Sequence, residues 1–187
     1  IEVSMFKKYL YHNRYKANHF QGYVLCDYLK RMNENSTIAS TPEMRRLYVE
    51  LLSFSLNYII WIHAGGVGKK SGEFNLIQKI HVVLYNAILV ETDFILFKSL
   101  LDEMINLVDA NTDFCPVEDK KFMLAHTFAN DDFVMKVLNI REMHSANLNW
   151  DVMASRLSVF IHFTVRHNHD LDDPMIFSTH FLKLMTL

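Results

Sequence analysis

The densest group of side chains that could do chemistry lies near the C-terminus. Three histidines and three aspartates occur there within a short stretch, namely His162, His167, His169, Asp170, Asp172 and Asp173. Imidazole and carboxylate groups are ligands for zinc, iron and manganese. A metal-dependent hydrolase that uses His167, His169 and Asp170 as ligands is therefore one hypothesis. Metal ligands are usually held on rigid elements, whereas this group falls at a predicted helix junction, so we keep the hydrolase as an alternative.

A second candidate is the glycine-rich segment 65–72, which holds four of the five glycines together with Lys69 and Lys70. Glycine amides and lysines can surround an anion. The nucleotide-binding pattern G-x-x-x-x-G-K-[ST] requires a glycine where this chain has His63 and a hydroxyl residue where it has Lys70. We therefore predict a hinge-like loop and expect no bound cofactor.

The N-terminus combines positive charge with aromatic rings. The basic residues are Lys7, Lys8, Arg14 and Lys16, and the interleaved aromatic ones are Phe6, Tyr9, Tyr11, Tyr15 and Phe20. Such a combination can bind single-stranded nucleic acid by stacking and phosphate pairing, which makes a nucleic-acid-binding or capsid-type protein a further alternative. The formal net charge of the whole chain is only -2. An amphipathic helix whose basic residues face water explains the pattern more simply.

The elements that must position these residues are helices. Half of the 187 residues are hydrophobic, only five are Gly and three are Pro, and the apolar residues recur at helical spacing. About eight or nine helices follow: two within 2–32, then 42–64, 74–91, 93–108, one from Pro116, 133–146, 150–166 and a short one after Pro174. We predict an all-α fold, a compact bundle around one or two central apolar helices, 42–64 and 150–166.

Several helix starts carry local signals. Ser40, Thr41, Pro42 and Glu43 resemble a capping box with proline in the first turn. Asp93 is suited to the N-cap of the helix 93–108, and the acidic residues 131 and 132 are predicted to cap the helix that follows them. We expect one all-helical domain over 1–187, with 1–32 as an N-terminal extension.

The cysteines bear on the cellular compartment. Cys26 and Cys115 are the only two, and we predict that both are reduced and buried in an intracellular protein, cytoplasmic or nuclear. The sequon Asn35–Ser36–Thr37 keeps a secreted protein as the alternative. The longest uncharged stretch, which begins at Leu51, contains several polar residues and therefore predicts a buried helix and no transmembrane segment.

The stretch Leu148-Asn149-Trp150-Asp151-Val152 is similar to the end of a cyclin box, where an acidic residue precedes a leucine, tryptophan and aliphatic run. As an Asn-Trp pair that opens a long apolar helix, it also resembles the first homology region of Bcl-2-like proteins. That family has Gly-Arg where this chain has Asp151-Val152. Since one short stretch matches two unrelated families, it assigns the chain to neither.

The reactive residue types form no activated nucleophile and no cofactor fingerprint. We therefore predict a non-enzymatic interaction or regulatory module, such as an adaptor, that binds a partner protein through a hydrophobic groove between helices. Its 14 Phe, eight Tyr and ten Met suit an adaptable apolar surface. The residues predicted to contact the partner are Trp150, Arg156 and Phe160.

Overall fold

A computed structural model describes residues 5, 8, 19–35, 38, 40–64, 76–110, 117–128, 131–144, 150–168 and 179–184. Within these residues the chain is helical and no strand occurs, which confirms the all-α prediction. The helices are α1 (His19–Glu34), α2 (Pro42–Ala64), α3 (Leu76–Val90), α4 (Phe94–Ala110), α5 (Val117–Phe128), α6 (Asp132–Met143), α7 (Trp150–Asn168) and α8 (Thr179–Leu184). In this described part, no helix is both long and apolar enough to cross a membrane.

Helix α2 begins and ends at the predicted residues, 42 and 64. Pro42 is its first residue, where the fixed backbone angle and missing N–H of proline fit a helix. The Arg45 N–H donates to the Thr41 carbonyl at 2.9 Å. Thr41 rather than Ser40 therefore occupies the cap position, one residue later than the capping-box pattern predicts.

Two acidic caps behave differently. The Asp93 carboxylate accepts hydrogen bonds from the Ile95 and Leu96 N–H groups at 2.9 and 3.0 Å, so its prediction as the cap of α4 is confirmed. Asp131 stands at the N-cap of α6, but its side chain makes no capping hydrogen bond there. The sequence prediction was right about the position and wrong about the side-chain bond.

The chain divides into two compact units, Ile1–Ala87 and Ile88–Leu187. This division reflects contacts within the chain and not independent folding, so one domain over 1–187 stays a prediction. In the first unit α1 packs against α2. Its buried apolar core includes Leu25, Leu29, Tyr48, Leu51, Leu52, Leu56, Ile59, Ile77, Ile80 and Leu84.

The Leu76 side chain of α3 packs against the backbone of α1 at Gly22. Gly22 is buried, and a Cβ atom at this position would meet the Leu76 side chain, with Cδ1 at 3.1 Å and Cγ at 3.3 Å. Nearby, the Lys79 ammonium of α3 lies 2.8 Å from the Asp27 carboxylate of α1. The absence of a side chain at Gly22 therefore leaves the room that the Leu76 side chain occupies.

Arg45 ties three helices of the same unit together. Its guanidinium is buried and donates to the Asn33 Oδ1 atom at 2.7 Å and to the Ala87 carbonyl at 3.0 Å. It also lies 4.9 Å from the centre of the Tyr48 ring. Ala87 is in the last turn of α3, where carbonyl groups lack intrahelical donors and a cation is favourable. The buried Arg45 guanidinium therefore supplies a hydrogen-bond donor to a carbonyl group at the C-terminal end of α3.

The second unit is built from packed helix pairs: α4 with α7, α5 with α6, and α6 with α8. Its buried apolar residues include Phe97, Leu100, Leu101, Met104, Leu107, Met123, Leu124, Phe133, Val137, Met153 and Leu157. The turn into α4 is held by the buried Glu91 carboxylate, which accepts from the Thr92 and Asp93 N–H groups, each at 2.9 Å.

Candidate interaction groove

A cavity of about 230 Å³ lies along one face of α7, and we call it the α7 groove. Its lining residues are Ala154, Leu157, Ser158, Ile161, His162, Val165 and, from α8, Leu184. The α7 positions follow one another at intervals of three or four residues, apart from adjacent pairs, which places them on one helix face. The groove is therefore a continuous strip of α7 with a wall from α8.

The neighbouring face of α7 is packed into the core of the second unit. Met153, Leu157 and Thr164 are buried there. The acidic Asp151 lies in the first turn, where a negative charge is favourable near the helix N-terminus. Leu157 and Ile161 belong both to the core and to the groove, so the packing that holds α7 in place also fixes the groove floor.

A polar cluster on another side of α7 joins it to α4. The Arg156 Nε atom donates to the Asp102 carboxylate at 3.2 Å, and its terminal nitrogen donates to the Asn106 Oδ1 atom at 3.0 Å. Asp102 also pairs with Lys98 at 2.8 Å. These groups are partly exposed, and exposed ion pairs typically contribute 1 kcal/mol or less. They link α7 to α4 at the protein surface.

The groove lining is chemically simple. Among the described residues that line it, the side chains are aliphatic except for Ser158 and His162. Ligand pockets for small molecules usually enclose about 300–1,000 Å³, and this cavity is smaller than that range. Aliphatic side chains of another polypeptide fit such a lining. In the part of the chain that the structure describes, no group of three or more His, Cys, Asp or Glu residues is placed so that it could hold a metal ion.

The residues predicted to bind a partner all lie in α7. Trp150 begins the helix and Phe160 lies within it, but both side chains fall outside the described part of the structure. Arg156 is exposed and bonded to α4. The sequence did not single out Ala154, Leu157 or Val165, although their helical spacing is visible in it.

The other predicted sites fall mostly outside the described residues. His167 lies in the last turn of α7, and its side chain is not described; His169 and Asp170 lie outside the described residues altogether. Of the basic N-terminal residues, Lys8 is helical and exposed, whereas Lys7, Arg14, Lys16 and the glycine-rich segment 65–72 lie outside the described part. His162 is exposed at the groove.

Cys26 is a buried free thiol. Removal from water raises its pKa to about 12, and this effect outweighs the opposite influence of the Lys79 ammonium. A thiol with such a pKa is almost never ionised near neutral pH, and the thiolate is the reactive form. The prediction that Cys26 is packing and not a nucleophile is consistent with this geometry. Cys115 lies outside the described residues.

Comparisons of the chain with protein-family models, curated proteins and solved structures give no match. The resemblances of 148–152 to a cyclin box and to Bcl-2-like proteins therefore stay predictions.

Proposed function

We propose that this protein is a non-enzymatic interaction module, with a regulatory or adaptor role, whose α7 groove binds an apolar segment of a partner protein. The observation that carries the proposal is the groove itself, a cavity of about 230 Å³ with a largely aliphatic lining. Small side chains at Ala154 and Ser158 leave room for a partner to approach the α7 backbone.

The lining favours a helical partner segment over other peptide forms. Strand addition needs an exposed sheet edge, polyproline recognition needs an aromatic groove, and phosphopeptide recognition needs an arginine cluster. None of these features occurs among the described residues that line the groove. From Ala154 to Val165 the groove face runs about 16 Å at 1.5 Å per residue. That length matches about three turns of an amphipathic helix with apolar anchors at i, i+3 or i+4, and i+7.

Two further parts of the proposal concern architecture and location. We propose that α2 is a central helix of a bundle, since it buries residues over a wide arc, namely Tyr48, Val49, Leu51, Leu52, Ser55, Leu56, Tyr58 and Ile59. The second proposed central helix is α7, which buries residues on one face. An intracellular location is proposed on the ground that the sequence holds only two cysteines, because secreted domains of this size usually carry more.

The test uses two arginine substitutions on the same helix. Ser158→Arg places a long charged side chain in the groove, whereas Ser155→Arg adds the same charge at an exposed position that does not line it. A photo-crosslinking amino acid at each position in the full-length chain identifies partners in cells. Binding of the purified candidate partner is then measured by calorimetry.

We expect crosslinking at residue 158 and not at residue 155, and at least tenfold weaker binding by Ser158→Arg, which corresponds to about 1.4 kcal/mol. Ser155→Arg should bind within about twofold of the unmodified protein, because a rim charge contributes little. Equal crosslinking at the two positions, or equal affinity of the two variants, would contradict the proposal. Matching circular dichroism spectra of both variants confirm that folding is intact.

A further inference from the structure

Three large apolar side chains of α1 and α2 remain in contact with water. Tyr28 of α1 is 50% exposed, and Met44 and Leu47 of α2 are each 39% exposed. A single exposed apolar residue is normal, whereas a contiguous group of them indicates an interaction site. The contacts that α1 and α2 make with α3 determine whether these residues lie on one side of the first unit.

The side of α1 that carries Tyr28 faces away from α3. Gly22 meets the Leu76 side chain of α3, and the Asp27 carboxylate pairs with the Lys79 ammonium of α3 at 2.8 Å. Consecutive residues of a helix are about 100° apart around its axis. The direction midway between Gly22 and Asp27 is therefore about 170° from Tyr28, which places Tyr28 opposite α3.

The side of α2 that carries Leu47 also faces away from α3. The Arg45 guanidinium donates to the Ala87 carbonyl of α3 at 3.0 Å. Leu47 lies about 160° around the α2 axis from Arg45. Met44 precedes Leu47 by three residues and therefore lies on the same flank of the helix.

The exposed residues of the two helices also lie at a similar level. The Asn33 Oδ1 atom accepts a hydrogen bond from Arg45 at 2.7 Å, so the end of α1 lies beside the start of α2. The two helices pack against each other and therefore run antiparallel. At 1.5 Å per residue, Tyr28 lies about 8 Å before Asn33, and Leu47 lies about 3 Å after Arg45. Tyr28, Met44 and Leu47 thus form one surface, which we call the α1–α2 patch.

The two edges of the α1–α2 patch carry opposite charges. Arg31 follows Tyr28 by three residues on the edge formed by α1, and Glu43 precedes Leu47 by four residues on the edge formed by α2. Both Arg31 and Glu43 are exposed. Neighbouring charges are balanced by local ion pairs, namely Asp27 with Lys79, Lys30 with Glu34, and Arg46 with Glu50.

We propose that the α1–α2 patch binds a second copy of this chain. A two-fold axis parallel to the helices places each α1 over the α2 of the other copy and keeps every residue at its own level. Tyr28 then packs against Leu47 of the second copy, and Arg31 faces Glu43 of the second copy. Because the symmetry repeats both contacts, the apolar centre and the charged edges of the patch are complementary to themselves.

The first test measures the mass of the chain by sedimentation equilibrium at protein concentrations up to about 0.5 mM, a range that includes weak, transient interfaces. We expect the mass to rise with concentration from that of one chain towards that of two. Leu47→Arg should weaken this association at least tenfold, because it places an unpaired charge in the apolar centre. Ile95→Arg is the control, because Ile95 is 71% exposed but lies in the second unit.

The second test exchanges the charges at the edges of the patch. Arg31→Glu and Glu43→Arg should each weaken association at least about fivefold, because each reversal acts twice in a two-fold dimer. The double variant should associate within about twofold of the unmodified chain, since opposite charges face each other again. Both reversals oppose the helix dipoles, so a gain in folding stability cannot explain this recovery.

Three results would overturn the proposal. They are a single-chain mass at every concentration, association that Leu47→Arg weakens no more than Ile95→Arg does, and a double charge variant that fails to recover. Circular dichroism confirms that each variant is folded. The proposal does not depend on the α7 groove, so Ser158→Arg should associate like the unmodified chain whether or not the groove binds a partner.

Discussion

The contact between Gly22 and Leu76 leads to a prediction whose sign depends on packing. Within a helix, Gly→Ala normally raises the free energy of unfolding by about 1 kcal/mol, because glycine has the greater backbone freedom to lose. At Gly22, however, the new methyl group would overlap the Leu76 side chain, which is 1% exposed. Added methyl groups in a filled core usually cost about 1–3 kcal/mol. We therefore expect Gly22→Ala to destabilise the protein by up to about 2 kcal/mol.

A double-mutant cycle separates the two effects. Leu76→Ala alone should cost about 2–5 kcal/mol, because it removes a fully buried side chain. In that background the methyl group of Gly22→Ala has room, so the substitution should stabilise by about 1 kcal/mol. The coupling between the two positions is then about 1–3 kcal/mol. Equilibrium urea unfolding followed by circular dichroism measures all four proteins, and similar m-values indicate a shared transition.

Val24→Ala is the matched control. Val24 lies on the same helix but is 53% exposed, so its replacement by a better helix former should be neutral or slightly stabilising. If Gly22→Ala raised the unfolding free energy equally with and without the Leu76 side chain, the proposed close contact between α1 and α3 would be refuted.

Three further outcomes follow from buried polar groups. Arg45→Lys should lower the unfolding free energy by about 1.5–3 kcal/mol in urea titrations, since a lysine cannot keep both charge-assisted hydrogen bonds to Asn33 and Ala87; a change below about 0.5 kcal/mol would contradict this role. Because the pKa of the Cys26 thiol rises from 9.0 to about 12 on folding, its contribution to stability is fully present below pH 9 and is lost as the pH rises towards 12. Urea titrations of the unmodified protein and of Cys26→Ala between pH 8 and 10 measure this effect. The free energy of unfolding should fall more steeply with pH when Cys26 is present, and parallel pH profiles of the two proteins would contradict the prediction. Burial lowers the pKa of the Lys136 ammonium, and the negative charge of the Glu91 carboxylate partly opposes this effect. Glu91→Gln should therefore lower the pKa of Lys136 further, as measured by NMR titration. An unchanged or higher pKa of Lys136 in that variant would refute the interaction.

The parts of the fold that could be predicted from sequence are those with local causes. Asp93 caps α4 by bonding to amides two and three residues ahead, so both partners are visible in one short stretch. Pro42 begins α2 for an equally local reason. The pairing of Gly22 with Leu76 joins positions far apart in the chain, and no helical period specifies which residue faces a glycine.

The α7 groove shows the same division between local and distant causes. The α7 residues that line it have visible helical spacing, but Leu184 meets them through tertiary packing alone. The sequence analysis predicts large residues such as Trp150, at the start of α7, as partner contacts, because aromatic and arginine side chains commonly dominate protein interfaces. The small residues that line the groove, Ala154 and Ser158, carry no distinctive sequence signal.

The support beneath the groove bears on how a partner would bind. Leu157 of α7 is packed into the core of the second unit and also lines the groove. Binding to a preformed surface loses little conformational entropy. Affinity for the proposed partner should therefore be lowered by substitutions that line the groove, whereas substitutions in exposed parts of α7 outside the groove should leave it unchanged.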